Sequence, residues 1–177
     1  MKPLLVTVAA AFAMEPMAAV LHRWVMHKRG WAWHRSHHAQ KRGLVEANDL
    51  FPLVFAAFTV AVMATGTWIP ALRPLFWIGI GVSAYGAAYI VVHDLCIHGR
   101  VGRAVGSICY LRWVRAAHHL HHLYGRAPYG FLLPVVPKEL GLLSESPPAE
   151  GGQWTNEVAT VQSLRPRETR ARRVKTS

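Results

Sequence analysis

The chain has 177 residues, of which 52% are hydrophobic and only 16% charged, and its mean hydropathy is +0.18. Soluble domains carry about 25% charged residues, so the deficit excludes an ordinary water-facing surface and makes lipid the natural solvent. The formal net charge of +11 comes without a stacking platform or a reading helix, which argues against nucleic acid and for membrane head groups.

The first predicted element runs from Leu4 to Leu21, close to the roughly 20 residues a helix needs to cross a hydrocarbon core. It contains Glu15 and offers no small-residue cleavage site, so a retained span is expected and not a removed signal. Glu15 lies seven residues before His22 on the same helical face. An ionisable group at that depth is paired or functional, so Glu15 either orients a histidine or bonds to a neighbouring helix.

Two further spans are predicted over Leu50 to Ile69 and Leu75 to Val92, with Pro70 and Pro74 bracketing a tight turn that makes them an antiparallel hairpin. Gly79, Ser83 and Ala87 on the third span are spaced for close helix approach. Val101 to Leu123 reads as an amphipathic helix lying at the membrane interface, since Arg103, Arg112 and Arg115 oppose a fourth crossing. From about Gly141 the chain turns to Ser, Pro, Gly and Glu and ends in a basic run, a composition that cannot bury a core. The expected organisation is therefore an all-α membrane bundle over residues 1–140 and a disordered basic tail over 141–177.

All eleven histidines fall into four clusters at the ends of the apolar stretches: His22 with His27, then His34, His37 and His38, then His93 with His98, then His118, His119, His121 and His122. With three crossings, every cluster lies on one side. Arg23, Lys28, Arg29, Arg35, Lys41 and Arg42 share that side with Arg100, Arg103, Arg112, Arg115 and Arg126, against only Lys2 and Arg73 opposite. The positive-inside rule makes it cytoplasmic. Trp24, Trp31 and Trp33 near one boundary, and Trp68 and Trp77 near the other, fit interfacial belts.

The spacing HxxxxH followed by HxxHH occurs twice. Imidazole suits divalent iron, copper and zinc, and a site so rich in it can hold more than one cation. Offsets of three and four share a helical face, so His34, His37 and His38 can converge, as can His118, His121 and His122. An offset of five is rotated by roughly 140° on an ideal α-helix. His22 with His27, and His93 with His98, therefore need a helix end, a bulge or two different metals. His119 falls outside the repeated pattern. Asp94 adjoins His93 and is placed to hold its ring by the other nitrogen. Glu46, Asn48 and Asp49 stand at the start of the second span, where Asn48 and Asp49 are expected to act as caps. Phe51, Phe55 and Phe58 either line a substrate entry or face lipid. Cys96 and Cys109 form no metal or redox motif and are expected to be free thiols.

Taken in order, HRWVMH, WHRSHH, EANDL, VHDLCIH and AHHLHH resemble the motifs of the bacterial β-carotene 3-hydroxylases of the membrane fatty acid hydroxylase superfamily, over about Met14 to Leu133. The resemblance implies a non-haem di-iron centre held by His22, His27, His34, His37, His38, His93, His98, His118, His121 and His122. It implies O2-dependent hydroxylation of β-carotene through β-cryptoxanthin to zeaxanthin, with related ketocarotenoids as further substrates. It also implies reduced ferredoxin and its reductase as electron donors and a place in the bacterial inner membrane. The chain carries no nucleotide or flavin fingerprint, in keeping with an external donor. The competing readings are a hydroxylase or desaturase of fatty acyl or sterol lipids, and a non-enzymatic metal or haem carrier.

Overall fold

The structure, a computed structural model, describes residues 2–39, 45–100 and 108–137. Helix α1 (Pro3–Leu21) begins with a proline at its first turn, where the missing N–H costs nothing. It continues without a break into a π-helical stretch, His22–Arg29. A single turn, α2 (Trp31–His34), follows. After a 3₁₀ turn at Ala47–Asp49 comes α3 (Leu50–Trp68), and after a second at Pro70–Leu72 comes α4 (Pro74–Tyr89). This last helix also runs on as a π-helical stretch, Ile90–Ile97. Helix α5 (Cys109–Tyr124) ends at Gly125, whose φ of 61° places its N–H against the His121 carbonyl at 2.8 Å. No strand occurs among the described residues.

Three continuous helices, Pro3–Arg29, Ala47–Trp68 and Pro74–Ile97, are long and apolar enough to cross a membrane. Their outward faces are greasy: Leu4 is 74% exposed, Leu53 64% and Val91 51%. Such exposure on every span suits contact with lipid chains and not with water. The bundle is a membrane helical bundle, as its composition requires.

Helix α4 packs against both α1 and α3. A Cβ on Gly81 would collide with the Thr7 carbonyl of α1, and one on Gly79 with Met63 of α3. Gly79 from the expected small-residue ridge thus serves one neighbour, while Gly81, outside that ridge, serves the other. Thr7 Oγ1 donates to the Trp77 carbonyl at 3.1 Å across the α1–α4 contact. Helix α5 packs on the π-helical end of α4 and buries Val114, Ala117, His118, Leu120 and His121, one stripe of its surface. Residues 101–107, the expected first turns of that amphipathic helix, and the tail over 141–177 lie outside the described residues. Cys96 and Cys109 are free.

Candidate metal centre

The largest fully buried side chains are His22, His34, His37, His93 and His121, joined only by Val114 among the described residues. Histidine ordinarily occupies an intermediate position between core and surface, so a core built of imidazoles requires a chemical reason. The rings form two groups. His22, His27, His34, His38 and His121 bring ring nitrogens within 4.8 Å of one another, and so do His37, His93, His98 and His118. His122 lies between the groups, its Nε2 2.7 Å from that of His118 and its ring 4.3 Å from that of His38. These are the ten positions singled out by spacing; His119 belongs to neither group.

The route by which the rings meet differs from the sequence expectation in one respect and explains it in another. Each HxxHH cluster does not converge on one point. His34 and His38 enter the first group and His37 the second, while His121 enters the first and His118 the second. His37 and His38 lie in the turns that follow α2, and as neighbours in the chain they enter different groups and so tie the two together. The five-residue offsets are accommodated by the π-helical stretches. A ladder of i→i+5 hydrogen bonds brings residues five apart into register, and the His98 N–H donates to the His93 carbonyl at 3.0 Å. The ring centroids of His93 and His98 are consequently 4.6 Å apart, and those of His22 and His27 5.0 Å.

The outward nitrogens define the tautomers. His22 Nδ1 donates to the Tyr129 carbonyl at 2.9 Å, His34 Nδ1 to Asn48 Oδ1 at 2.8 Å, and His121 Nδ1 to the Arg126 carbonyl at 2.7 Å. In the second group the acceptors are carboxylates: Asp94 Oδ1 at 2.7 Å from His93 Nδ1 and Glu46 Oε2 at 3.4 Å from His37 Nδ1. Arg100 stands behind both, its Nη2 2.8 Å from Asp49 Oδ1 and 3.5 Å from Glu46, and its Nη1 3.9 Å from Asp94 Oδ2. With the Nδ1 protons of these five rings committed outward, their Nε2 atoms present lone pairs inward.

Ring nitrogens face one another at short range. Nε2 of His22 is 3.1 Å from that of His34, and Nε2 of His27 is 3.0 Å from that of His121. His98 and His118 approach to 3.0 Å in the second group. Two imidazole nitrogens bound about 2.1 Å from one ion at roughly 90 to 110° stand about 3.0 to 3.4 Å apart. In the His22–His34 pair both Nδ1 protons are turned away, so the two Nε2 atoms have no hydrogen bond to share, an arrangement that a cation between them would satisfy. His93 Nε2 makes the same point singly, being buried with no hydrogen-bond partner among the described residues. The donor set, entirely imidazole, suits a divalent first-row metal such as iron.

Burial also keeps these rings neutral and their lone pairs available. It lowers His34 to about 4, an effect the Asn48 hydrogen bond partly opposes. His121 falls to about 3 through burial, and His38 to about 2 through burial and the neighbouring His121. His118 is lowered by burial and by His93 beside it.

Glu15 takes the second of its two expected roles, and Asn48 departs from the expected one. Glu15 touches no histidine among its described contacts. Its oxygens accept the backbone N–H groups of Phe131 at 3.0 Å, Leu132 at 3.1 Å and Leu133 at 2.8 Å, and the Tyr85 hydroxyl at 2.6 Å. It fastens the segment after α5 to the middle of the bundle, so the neighbouring-helix alternative holds through Tyr85. Asn48, expected as a cap, instead turns its amide oxygen to His34, whereas Asp49 does cap, its side chain accepting the Glu46 N–H at 2.9 Å within a capping box. The carbonyl acceptors at Tyr129 and Arg126 carry no signature in sequence.

A cavity of about 790 Å³ lies between α1, α3 and α4; its described lining holds no histidine and reaches the ring cluster only through Tyr89 and Phe131. That volume falls within the usual range for small-molecule sites. Phe51, Phe55 and Phe58 all line it, as do Tyr89 and Phe131 at its histidine end. Tyr89 stacks on His93 at 4.6 Å and Phe131 on His22 at 4.8 Å.

Comparison with known proteins agrees with this geometry. The model of the fatty acid hydroxylase family matches residues 7–141. A beta-carotene hydroxylase of Pseudescherichia vulneris is 40% identical over 141 residues, covering 77% of this chain and 79% of its own. One from Pantoea ananas is 38% identical over 157 residues, covering 84% and 87%. A chloroplastic beta-carotene 3-hydroxylase of Arabidopsis thaliana is 39% identical over 140 residues, 76% of this chain but 44% of its own length. No solved structure matches the chain.

Proposed function

The chain belongs to the fatty acid hydroxylase family, and from that premise we propose that it hydroxylates carbon 3 of the β-ionone rings of carotenoids. β-Carotene passes through β-cryptoxanthin to zeaxanthin, and ketocarotenoids such as canthaxanthin lead to astaxanthin. The observation that carries this reading is an all-histidine cluster separated from an apolar cavity between membrane-spanning helices only by the rings of Phe131 and Tyr89. A substrate dissolved in the bilayer enters such a cavity without crossing water. The named activity of the bacterial relatives supports the choice of a carotenoid over an acyl or sterol lipid.

Each hydroxylation takes up O2, two electrons and two protons, converts one C–H bond to C–OH and releases one water. A pair of bound iron ions supplies the dioxygen-activating chemistry that an unactivated C–H bond requires. His22, His27, His34, His38 and His121 would hold one ion, and His37, His93, His98 and His118 the other, with the His122 ring lying between the two groups. Asn48, Asp94 and Glu46 and the carbonyls of Tyr129 and Arg126 fix the rings so that their Nε2 atoms stay turned inward. The apolar cavity wall excludes water from the ring being oxidised. Reduced ferredoxin with its reductase delivers the electrons at the cytoplasmic face of the inner membrane, the side to which the basic residues assign the histidines. Residues 1–140 carry this activity and the basic tail over 141–177 is dispensable, a division supported by the extent of the family match.

Expression in a β-carotene-producing bacterium tests the proposal. Chromatography and mass spectrometry of the pigments should reveal products heavier by one and then two oxygens. Protein accumulated in the membrane with iron bound, but no oxygenated pigment, would refute the carotenoid assignment.

A further inference from the structure

Phe131 occupies a position that the histidine motifs do not account for. It follows α5 in an irregular segment, is 7% exposed, and lines the histidine end of the cavity. Its ring lies flat on His22, with centroids 4.8 Å apart and planes inclined by 11°. The same ring meets His93 edge-on at 5.2 Å and Tyr89 edge-on at 4.9 Å. It therefore touches one histidine from each group and stands between both and the cavity.

Irregular segments are ordinarily mobile, but this one is clamped. Three successive N–H groups, of Phe131, Leu132 and Leu133, converge on the Glu15 carboxylate, which also accepts the Tyr85 hydroxyl. A Cβ on Gly130 would stand 2.6 Å from Glu15 Oε1, so only glycine there lets the carboxylate reach the backbone. One residue earlier, the Tyr129 carbonyl accepts from His22. A carboxyl group within the first membrane span thus holds a specific aromatic ring against the centre, through hydrogen bonds from the backbone that carries that ring.

We propose that Phe131 determines which carbon of the substrate ring is oxidised, and that Glu15 is the positioning residue that holds it there. The inference rests on the proposed carotenoid ring hydroxylation. Its physical basis is a comparison of lengths. An aromatic layer in van der Waals contact is about 3.5 Å thick, whereas neighbouring ring carbons are about 1.5 Å apart. Removing the layer frees a depth greater than one carbon–carbon spacing, so a carbon next to the one now attacked can reach the centre, and a misplacement of 1 Å already changes reactivity strongly. The floor of the cavity thus sets the depth at which the ring stops.

The test compares wild type with F131A, F131L and E15Q in β-carotene-producing cells. The hydroxylated carotenoids are separated and their hydroxyl positions assigned by NMR, and iron per chain is measured on each purified protein. Wild type should give carbon-3 products. F131A should raise the ratio of products hydroxylated at neighbouring ring carbons to carbon-3 products at least tenfold, with iron content unchanged. E15Q should shift the ratio in the same direction by a smaller factor, which a residue serving only overall stability would not do. If F131A fails to accumulate, F131L, which keeps an apolar side chain without the flat ring, carries the same expectation. Iron-loaded F131A or F131L giving the wild-type ratio would overturn the role of Phe131, and E15Q giving that ratio would overturn the role of Glu15. Wild type giving no oxygenated carotenoid would instead refute the function on which the inference rests.

Discussion

Replacing Asp94 by Asn tests the outer layer of the centre one group at a time. The Asp94 carboxylate accepts the His93 Nδ1–H at 2.7 Å, and its second oxygen lies 3.9 Å from Arg100. Asparagine keeps the shape and an acceptor oxygen but removes the charge. A hydrogen bond to a charged group contributes about 1.5–3 kcal/mol against about 0.5–1.5 for a neutral one. The difference of about 1–1.5 kcal/mol corresponds to roughly a 5- to 13-fold loss of affinity. This lies at the lower end of the 10–100-fold range typical when such supporting partners are lost. The loss should be confined to the ion in the group of His37, His93, His98 and His118. The other group relies on neutral acceptors from Asn48, Tyr129 and Arg126, which D94N leaves in place. Purified protein equilibrated against increasing chelator, with iron counted per chain, should lose one ion at a lower chelator concentration than wild type and the second at the wild-type concentration. Unchanged retention of both ions, or equal weakening of both, would refute the reasoning.

Alanine at His37 or His121 should abolish hydroxylation and lower bound iron, since each ring belongs to one of the two groups; near-normal activity in either variant would show the ligand set to be wrong. The metal-free protein should lose stability on acidification. Burial depresses His34 to about 4 and His121 to about 3 from an unfolded value near 6.5, so below pH 6.5 the unfolded chain binds protons that the folded one does not. Their contribution is fully present above pH 6.5 and declines as pH falls towards 4 and then 3, which thermal unfolding of the metal-free protein at a series of pH values measures. Truncation after Glu145 should leave substantial hydroxylation; complete loss with normal membrane accumulation would assign the tail a role in the reaction.

The spans and the ten histidines were legible because both are local signals. Apolar runs of about 20 residues report a bilayer directly, and a repeated HxxxxH and HxxHH pattern reports shared ring placement. The partition of each HxxHH cluster between two groups was not legible, because spacing fixes angles on one helix but not where its partners stand. The five-residue offsets identified a departure from α-helical geometry without selecting it; the structure accommodates them in two π-helical stretches. Asn48 resembled a cap in sequence, and only the approach of α2 to the start of α3 makes it a partner of His34. Glu15 and Phe131, separated by more than a hundred residues, meet through backbone N–H groups, which every residue but proline possesses and which no pattern of side chains reveals.

The most direct test of the central claim is oxygen transfer by the purified, iron-loaded protein. Given β-carotene in lipid vesicles, reduced ferredoxin and isotopically heavy dioxygen, it should yield carbon-3 hydroxylated products whose new oxygen carries the heavy isotope. Absence of product from iron-loaded protein, or product whose oxygen comes from water, would contradict it.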